Sequence, residues 1–219
     1  SMALLDMAAA KKESFLYNFY KMGRDAIENE KEAFAYIISG DQWDKGESIE
    51  LTNILIRGGL EAHIAGTDFE ANGRTFPAGS IIFYGAQSFR PYLVDLMEKQ
   101  AYPDQFQYPG GPRMPPYDLA GWTLPMQMGV DVVRSNVPFE VETNVVEGLF
   151  EVAPGEVSGE SKAGYWLSDK QNSAVKAINE LQLEGAEIYR LKENTTDGDR
   201  EWKAGSFFVS GKKAGALVA

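Results

Sequence analysis

An internal repeat is the feature of this sequence that most constrains its fold. A shift of 126 residues brings positions 49 to 85 onto positions 175 to 211 without a gap. The identical pairs are Asn53/Asn179, Leu55/Leu181, Gly59/Gly185, Glu61/Glu187, Arg74/Arg200, Ala78/Ala204, Gly79/Gly205, Ser80/Ser206 and Gly85/Gly211. Upstream, Tyr36-Ile37-Ile38-Ser39 resembles Tyr165-Trp166-Leu167-Ser168 once a three-residue difference is allowed. The repeat predicts two related halves with the same order of elements.

A simpler explanation is that two strand-helix-strand units look alike because each needs a glycine to end its helix and a strand to follow it. Such convergence accounts for the matching glycines. It does not account for the pairs Asn53/Asn179, Glu61/Glu187 and Arg74/Arg200. These polar matches favour duplication.

The first half has the pattern of a strand-helix-strand unit. The apolar run Phe34 to Ser39 predicts a buried strand. Asp44 is placed to cap a following helix, which the glycine pair at Gly58 ends. A second strand at Leu60 to Ala65 completes the unit. This pattern predicts parallel strands joined by a right-handed crossover, and therefore an α/β fold with a mostly parallel sheet.

Downstream of this unit the sequence predicts a hairpin, a strand and a helix. Asn72-Gly73 is a strong signal for a type I′ turn. An apolar strand at Ser80 to Tyr84 follows, and Ser88 is placed to cap a helix through Lys99. Further strands are predicted at Val130 to Val133 and Phe139 to Val145.

The segment 102–129 is a long loop rich in proline, glycine and aromatic residues. A loop of this length is usually functional, a packed bridge or disordered, and its aromatic content argues against disorder. Its candidate contact residues, for a ligand or for another domain, are Tyr108, Arg113, Tyr117 and Trp122. They could equally pack the loop onto the sheet.

The N-terminal segment predicts an amphipathic helix at Ser14 to Lys31. Its helically spaced apolar positions are Phe15, Leu16, Phe19, Met22, Ala26 and Ile27. Such a helix could cover a sheet within this chain, or it could be the last helix of a preceding domain.

Composition excludes several functions. Lys and Arg total 21 against 32 Asp and Glu, and a net charge of −11 opposes binding to nucleic acid or an anionic membrane. No apolar run reaches the length of about 20 residues that spans a bilayer. The absence of cysteine removes disulfides, thiolate metal sites and a cysteine nucleophile.

Two groups of polar residues are candidates for chemistry. His63 is the only histidine, so a zinc site or a Ser-His-Asp triad would have to use it, and we interpret it as structural. The acidic residues are Asp41, Asp44, Glu47 and Glu50, which could bind a hard cation or act as acid and base. Capping of the following helix explains them more simply.

The run from Phe76 to Arg134, with its elements YPGGP, PPYD and GWTLPMQMGV, resembles a region of large bacterial zinc carboxypeptidases of the carboxypeptidase A-like family. In that family the region lies downstream of the peptidase domain, and a helix like LYNFYKMGRDAI follows that domain. The resemblance implies a domain similar to the class I glutamine amidotransferase-like (flavodoxin-like) fold, in a secreted or periplasmic parent that removes C-terminal residues from peptides.

The resemblance also implies where the chemistry lies. Zinc and its ligands belong to the upstream peptidase domain, which would be the partner of this region, and no position here matches those motifs. The amidotransferase nucleophile is missing as well, because the chain has no cysteine. The expected division is a linker helix at 1–32 and an α/β domain at 33–219, with repeats at about 34–100 and 163–219 joined by the loop.

These observations lead to three hypotheses. The first is a non-catalytic accessory domain of a zinc carboxypeptidase, with no cofactor of its own. The second is a small-molecule or peptide binding module with a pocket between the two halves, near the strand ends where open α/β sheets usually bind ligands. The third is an independent hydrolase that uses carboxylates such as Asp41 and Asp44.

Overall fold

The computed structural model describes residues 2–28, 33–101, 103–115, 123–159, 161 and 163–211, and these form a mixed α/β protein. The helices are α1 (Met2–Ala10), α2 (Lys12–Glu28), α3 (Lys45–Arg57), α4 (Arg90–Met97), α5 (Leu124–Met128) and α6 (Asn172–Leu183). The strands are β1 (Ala35–Ile38), β2 (His63–Ala65), β3 (Phe69–Ala71), β4 (Arg74–Phe76), β5 (Ile81–Tyr84), β6 (Val132–Ser135), β7 (Thr143–Val145), β8 (Gly164–Leu167), β9 (Glu187–Arg190), β10 (Thr195–Asp197), β11 (Arg200–Trp202) and β12 (Phe207–Ser210).

The chain divides into two compact units. The first unit comprises Ser1–Asp41 and Leu51–Leu149, and the second comprises Gln42–Glu50 and Phe150–Ala219. The boundary falls inside α3, whose residues through Glu50 belong to the second unit.

A five-stranded sheet in the order β6-β1-β5-β2-β7 forms the centre of the first unit. Side chains alternate along β1, as the pleat of a strand requires, so that Tyr36 and Ile38 join one apolar cluster and Ala35 and Ile37 join another. The first cluster includes residues of α3 and α4, and the second includes residues of the β3–β4 hairpin. The sheet is therefore buried on both faces.

The predicted hairpin is confirmed. β3 pairs with β4 in antiparallel register from Phe69↔Phe76 to Ala71↔Arg74. Asn72 and Gly73 both have positive φ, at 54° and 72°, as a type I′ turn requires. The sequence identified this turn because its signal is local.

The predicted parallel sheet is wrong for the described strands, because every pairing among them is antiparallel. β1 and β2 both pair antiparallel with β5, which lies between them. They are therefore parallel to each other but not neighbours. The turn at Pro77 to Gly79 reverses the chain after β4, and Gly79 N–H donates to the Ala65 carbonyl at 2.8 Å, which sets β5 beside β2.

The elements from β8 to β12 of the second unit follow the same order as those from β1 to β5 of the first. Its three-stranded sheet has the order β8-β12-β9, and β10 pairs with β11 as a hairpin. The pair Gly164↔Ser210 corresponds to Ala35↔Tyr84 in the first unit. The pair Thr195↔Trp202 corresponds to Phe69↔Phe76. The aligned positions thus occupy equivalent sites in the two sheets.

Smaller predictions were also corrected. The helix α4 begins at Arg90 after Phe89, which makes no side-chain cap, so Ser88 is not its N-cap. The strand predicted from Phe139 is formed only at Thr143–Val145. The long loop contains the short helix Leu124–Met128, although its residues 102 and 116–122 lie outside the described part of the chain. Among the described residues no helix has the length and apolarity needed to cross a membrane.

Candidate binding sites

The first unit contains a cavity of about 430 Å³. It is lined by Tyr36, Met97, Glu98, Lys99, Thr123, Pro125, Met126, Val130, Asp131, Val132 and Arg134. Its walls combine apolar side chains with two cationic and two acidic groups. That volume and mixture are typical of a small-molecule site.

Three polar side chains of this cavity form one network. Tyr36 on β1 and Arg134 on β6 are direct partners in the sheet. The Tyr36 hydroxyl donates to Glu98 Oε1, and Arg134 Nε lies 3.1 Å from the same oxygen. Because one carboxylate oxygen receives both donors, the network fixes the Glu98 side chain at the end of α4.

Thr123 adds local strain at the rim of the same cavity. It precedes α5 and has φ 54° and ψ 53°, in the left-handed region that β-branched residues rarely adopt. Its hydroxyl donates to the Glu98 carbonyl at 3.0 Å. Such strain costs about 1 to 3 kcal/mol and occurs most often at functional sites.

Burial raises the pKa of the Tyr36 hydroxyl well above its ordinary value, and the hydrogen bond to Glu98 and the charge of that carboxylate add to the shift. The folded protein thus holds the phenol proton to higher pH than the unfolded chain, whose tyrosines ionise at about pH 10. The stability provided by the neutral phenol is complete below that pH and declines as pH rises above it.

We expect the free energy of unfolding to fall above about pH 10 with a contribution from Tyr36 of up to about 1.4 kcal/mol per pH unit. Tyr36→Phe should remove that contribution while costing about 1 to 2 kcal/mol at neutral pH, because Glu98 loses a donor. Urea unfolding of both proteins at several pH values measures the difference. Parallel curves for the two proteins from neutral pH to about pH 11 would contradict the expectation.

The second unit contains a tryptophan groove, formed by two adjoining cavities of about 520 and 280 Å³. Both cavities are lined by Trp43, Ser168, Lys170, Arg200 and Trp202. The larger one also reaches Glu156, Ser158, Tyr165, Trp166, Gln171 and Asp197.

The aromatic rings of the groove are stacked. Trp166 stacks on Trp202 with 5.6 Å between centroids and lies 4.7 Å from the Phe208 ring. The Arg200 guanidinium lies over Trp202 at 4.6 Å, and Trp166 Nε1 donates to Asp197 Oδ2 at 2.7 Å. This ladder holds the indole rings in place.

Trp43 stands apart from that ladder. It is 63% exposed, and the Lys170 ammonium lies 4.6 Å from its ring centroid. Within the described residues neither Lys170 nor Arg200 has a carboxylate in ion-pair range. Both cations are therefore directed at ring faces and at the open groove.

The loop residues proposed from the sequence are solvent-exposed where they are described. Tyr108 is exposed, and Arg113 forms an exposed ion pair with Asp104 at 3.1 Å. A bridge between Phe106 and Arg113 closes a small turn around Tyr108. Tyr117 and Trp122 lie outside the described residues. Neither Tyr108 nor Arg113 lines the cavities described above.

His63 and Asp44 have structural contacts. His63 Nε2 lies 3.0 Å from Glu61 Oε1, and the ring packs edge-on against Tyr84. Asp44 Oδ1 accepts from the backbone N–H groups of Gly46 and Glu47, which confirms the predicted cap of α3. In the described parts of the chain, no three histidine or acidic side chains are grouped so as to hold a metal ion.

Neither the cavity of the first unit nor the tryptophan groove of the second was predicted from the sequence. Tyr36, Glu98 and Arg134 come together only through strand pairing and the end of α4, which no local motif reveals. The tryptophan groove did leave a signal, because Trp166 and Trp202 align with Ile37 and Phe76 in the repeat. Two tryptophans at positions that are aliphatic or phenylalanine in the sister half could have indicated a site.

Comparisons with known proteins add no assignment to this geometry. Neither a protein family, nor a curated protein, nor a solved structure matches the chain.

Proposed function

We propose that the chain is a non-catalytic accessory domain of a zinc carboxypeptidase and packs against the upstream peptidase domain through α1 and α2. One observation carries this proposal, which is the exposed apolar surface of those two helices. The parent family, its secreted or periplasmic location and the likeness to an amidotransferase-like fold are parts of the proposal that rest on the sequence resemblance.

The surface of α1 and α2 is far more apolar than a solvated helix pair needs. No residue of α1 is buried, and Ala26 is the only buried residue of α2. The exposed side chains are Met2, Leu4, Leu5, Met7, Phe15, Leu16, Tyr17, Phe19, Tyr20, Met22 and Ile27. A helix pair with so many exposed apolar side chains usually marks an interaction site.

Burial of the exposed side chains of α1 and α2 would stabilise a contact with another domain. Phe19 is 81% exposed, and complete burial of a phenylalanine or leucine side chain is worth about 1.5 to 3 kcal/mol. Several such residues on one helix pair supply enough free energy for a stable interface between domains. An upstream domain is the partner that fits best, because these helices precede β1 and resemble the helix that follows the peptidase domain in the carboxypeptidase family.

The chemistry of the proposed parent would lie outside this chain. The sequence holds one histidine and no cysteine, and His63 is engaged by Glu61. The described residues do not fit a zinc site of the peptidase kind, which needs histidine and carboxylate ligands from separate elements. No catalytic step is assigned to them.

Phe19→Ser combined with Leu16→Ser should weaken the proposed contact between α2 and the upstream domain, because it replaces two of the most exposed apolar side chains of that helix. In the polypeptide that carries the upstream domain, we expect the double variant to make α2 sensitive to limited proteolysis and to lower the melting temperature of the peptidase domain. The isolated chain with the same changes should keep its own melting temperature, since both side chains are exposed.

Lys21→Ala on the same helix is the matched control, because it changes a polar residue and leaves the apolar side chains intact. Equal protease resistance in the double variant and the parent would contradict the proposal. Concentration-dependent dimerisation of the isolated chain through α2, with no effect in the longer polypeptide, would assign the surface to a second copy instead.

A further inference from the structure

We propose that the tryptophan groove of the second unit is a binding site for a neutral saccharide. The inference is independent of the docking surface on α1 and α2. It rests on a comparison of the two repeats, on the balance of charge in the groove, and on the side chains that line it.

The repeat provides an internal reference for the groove. Trp166, Phe208 and Trp202 occupy the positions of Ile37, Ile82 and Phe76 in the first unit. Those three first-unit residues are all 0% exposed. The apolar residues packed around that buried cluster are Phe34, Tyr84, Val133, Phe139 and Val141.

The equivalent face of the second unit is open. In its described residues the sheet has three strands and no counterpart of β6 or β7. Trp166, Trp202 and Phe208 are accordingly only half-buried. The face that forms a closed core in one repeat therefore forms a groove in the other, with larger aromatic rings at the positions of two isoleucines and a phenylalanine.

One part of the groove is common to both repeats and needs no ligand to explain it. Arg74 lies over the Phe76 ring at 5.1 Å, just as Arg200 lies over Trp202. This stacked arginine is a structural feature of the hairpin. The two indoles at positions 166 and 202, and the exposed Trp43 with Lys170, are specific to the second unit.

Charge and shape together select the ligand class. The larger cavity is lined by Glu156, Asp197, Lys170 and Arg200, two acids and two bases, so a strongly charged ligand gains little net attraction. A pyranose ring has an apolar face of C–H groups that packs on an indole and hydroxyl groups around its edge. Trp43 offers the exposed ring, and Asp197, Lys170, Arg200 and Gln171 offer donors and acceptors for hydroxyls.

The combined cavity has room for such a ligand, since small-molecule sites usually measure about 300 to 1,000 Å³. A purely apolar ligand would displace water from Glu156, Lys170 and Arg200 without offering them hydrogen-bond partners. A peptide bound by addition of a strand would need a free strand edge, and the groove lies on the face of the sheet.

Tryptophan fluorescence of the whole chain tests this proposal, with chitotriose, cellotriose and maltotriose as probes. We expect at least one trisaccharide to give a saturable change in emission. Trp43→Ala should lower the association constant at least about tenfold, as loss of a central aromatic contact does. Tyr189→Ala is the matched control, because this exposed aromatic lies on β9 outside the groove and should leave binding unchanged.

Lys170→Ala provides a second variant if Trp43→Ala lowers stability, and far-UV circular dichroism checks that each variant is folded. The proposal would be overturned if none of the three trisaccharides changed the emission at about 10 mM. That concentration would saturate a site with millimolar affinity. Binding that survives both groove substitutions would overturn it equally. So would a response confined to an acidic peptide tested in parallel.

Discussion

Asp44→Ala is expected to destabilise the second unit by about 3 kcal/mol, because one carboxylate caps two helices. Oδ1 accepts from Gly46 N–H at 2.9 Å and from Glu47 N–H at 3.3 Å at the start of α3. Oδ2 accepts from Asn172 N–H at 2.7 Å at the start of α6. Asp44 is only 8% exposed, so water cannot readily replace these bonds.

The second unit has a small apolar core, so the loss of these hydrogen bonds is a large part of its stability. Its buried cluster comprises Ile178, Leu181 and Val209. Two of these lie on α6, the helix whose first turn Asp44 caps. Fraying of that turn would therefore loosen the apolar contacts as well as the hydrogen bonds, and the loss should appear in the cooperative unfolding of the whole unit.

Two further variants separate capping from other roles of the acidic cluster. Asp44→Asn keeps one acceptor oxygen and should cost about 1 to 2 kcal/mol, less than alanine. Asp41→Ala should change stability by less than about 0.5 kcal/mol, since Asp41 is exposed. Urea unfolding followed by tryptophan emission is suitable, because three of the four tryptophans, Trp43, Trp166 and Trp202, belong to the second unit.

Equal stability of Asp44→Ala and the parent chain would contradict the double cap. The same proteins test the hydrolase hypothesis. If a chelator-insensitive hydrolysis were found in the parent chain and lost in Asp44→Asn at unchanged stability, Asp44 would be a catalytic carboxylate rather than a cap. Loss of activity in proportion to the unfolded fraction would instead support the structural role.

Local signals in the sequence predicted many elements correctly. The helix at Lys45–Arg57 has a capping acid before it and glycines after it, and the hairpin has Asn72-Gly73. Each depends on residues close together in the chain. Boundaries were less reliable. The preferred capping residue Ser88 predicts the start of α4 one residue too early, because Phe89 occupies the N-cap position without a side-chain hydrogen bond.

Strand order could not be predicted in the same way. A strand-helix-strand pattern gives the direction of β1 and β2, and they are indeed parallel to each other. It does not reveal that a later strand, β5, inserts between them. That insertion depends on nonlocal pairing, and it converts a parallel neighbour pair into two antiparallel ones.

The dependence on nonlocal contacts also explains why the sequence did not predict the cavities and why it favoured the loop at 102–129 as a binding site. Tyr108 attracted interest because proline, glycine and aromatic residues surround it in sequence, yet it is exposed. Trp43 and Trp166 are distant in sequence and meet at one groove. A comparison between aligned repeats is the sequence signal that points to such a groove, because it shows where one half departs from the other.

Gly85→Ala is expected to unfold the first unit or to destabilise it by more than about 3 kcal/mol. A Cβ at this position would lie 2.0 Å from the Ala33 carbonyl oxygen and 2.7 Å from Arg90 Nη1. The closer contact is with backbone, and Gly85 N–H is itself held to the Phe34 carbonyl at 2.8 Å. Relief would require β1 and β5 to separate where Ala35 pairs with Tyr84.

Gly23→Ala is the matched control in the same unit. A Cβ there meets nothing within 4 Å, and the residue lies inside α2, so the substitution should stabilise the helix by about 0.5 to 1 kcal/mol. Thermal unfolding followed by circular dichroism compares the two variants. A melting temperature of Gly85→Ala within a few degrees of the parent would contradict this packing.

Gly211 is the counterpart of Gly85 in the repeat. The effect of Gly211→Ala on stability should lie between those of Gly85→Ala and Gly23→Ala. Gly211 has φ 103°, and an added methyl group would meet nothing within 4 Å, so alanine there meets backbone strain of about 1 to 3 kcal/mol but no clash. The aligned glycines at 85 and 211 are thus required for different reasons, close backbone approach in one unit and conformation in the other. A ranking with Gly211→Ala as the more damaging of the two would refute that distinction.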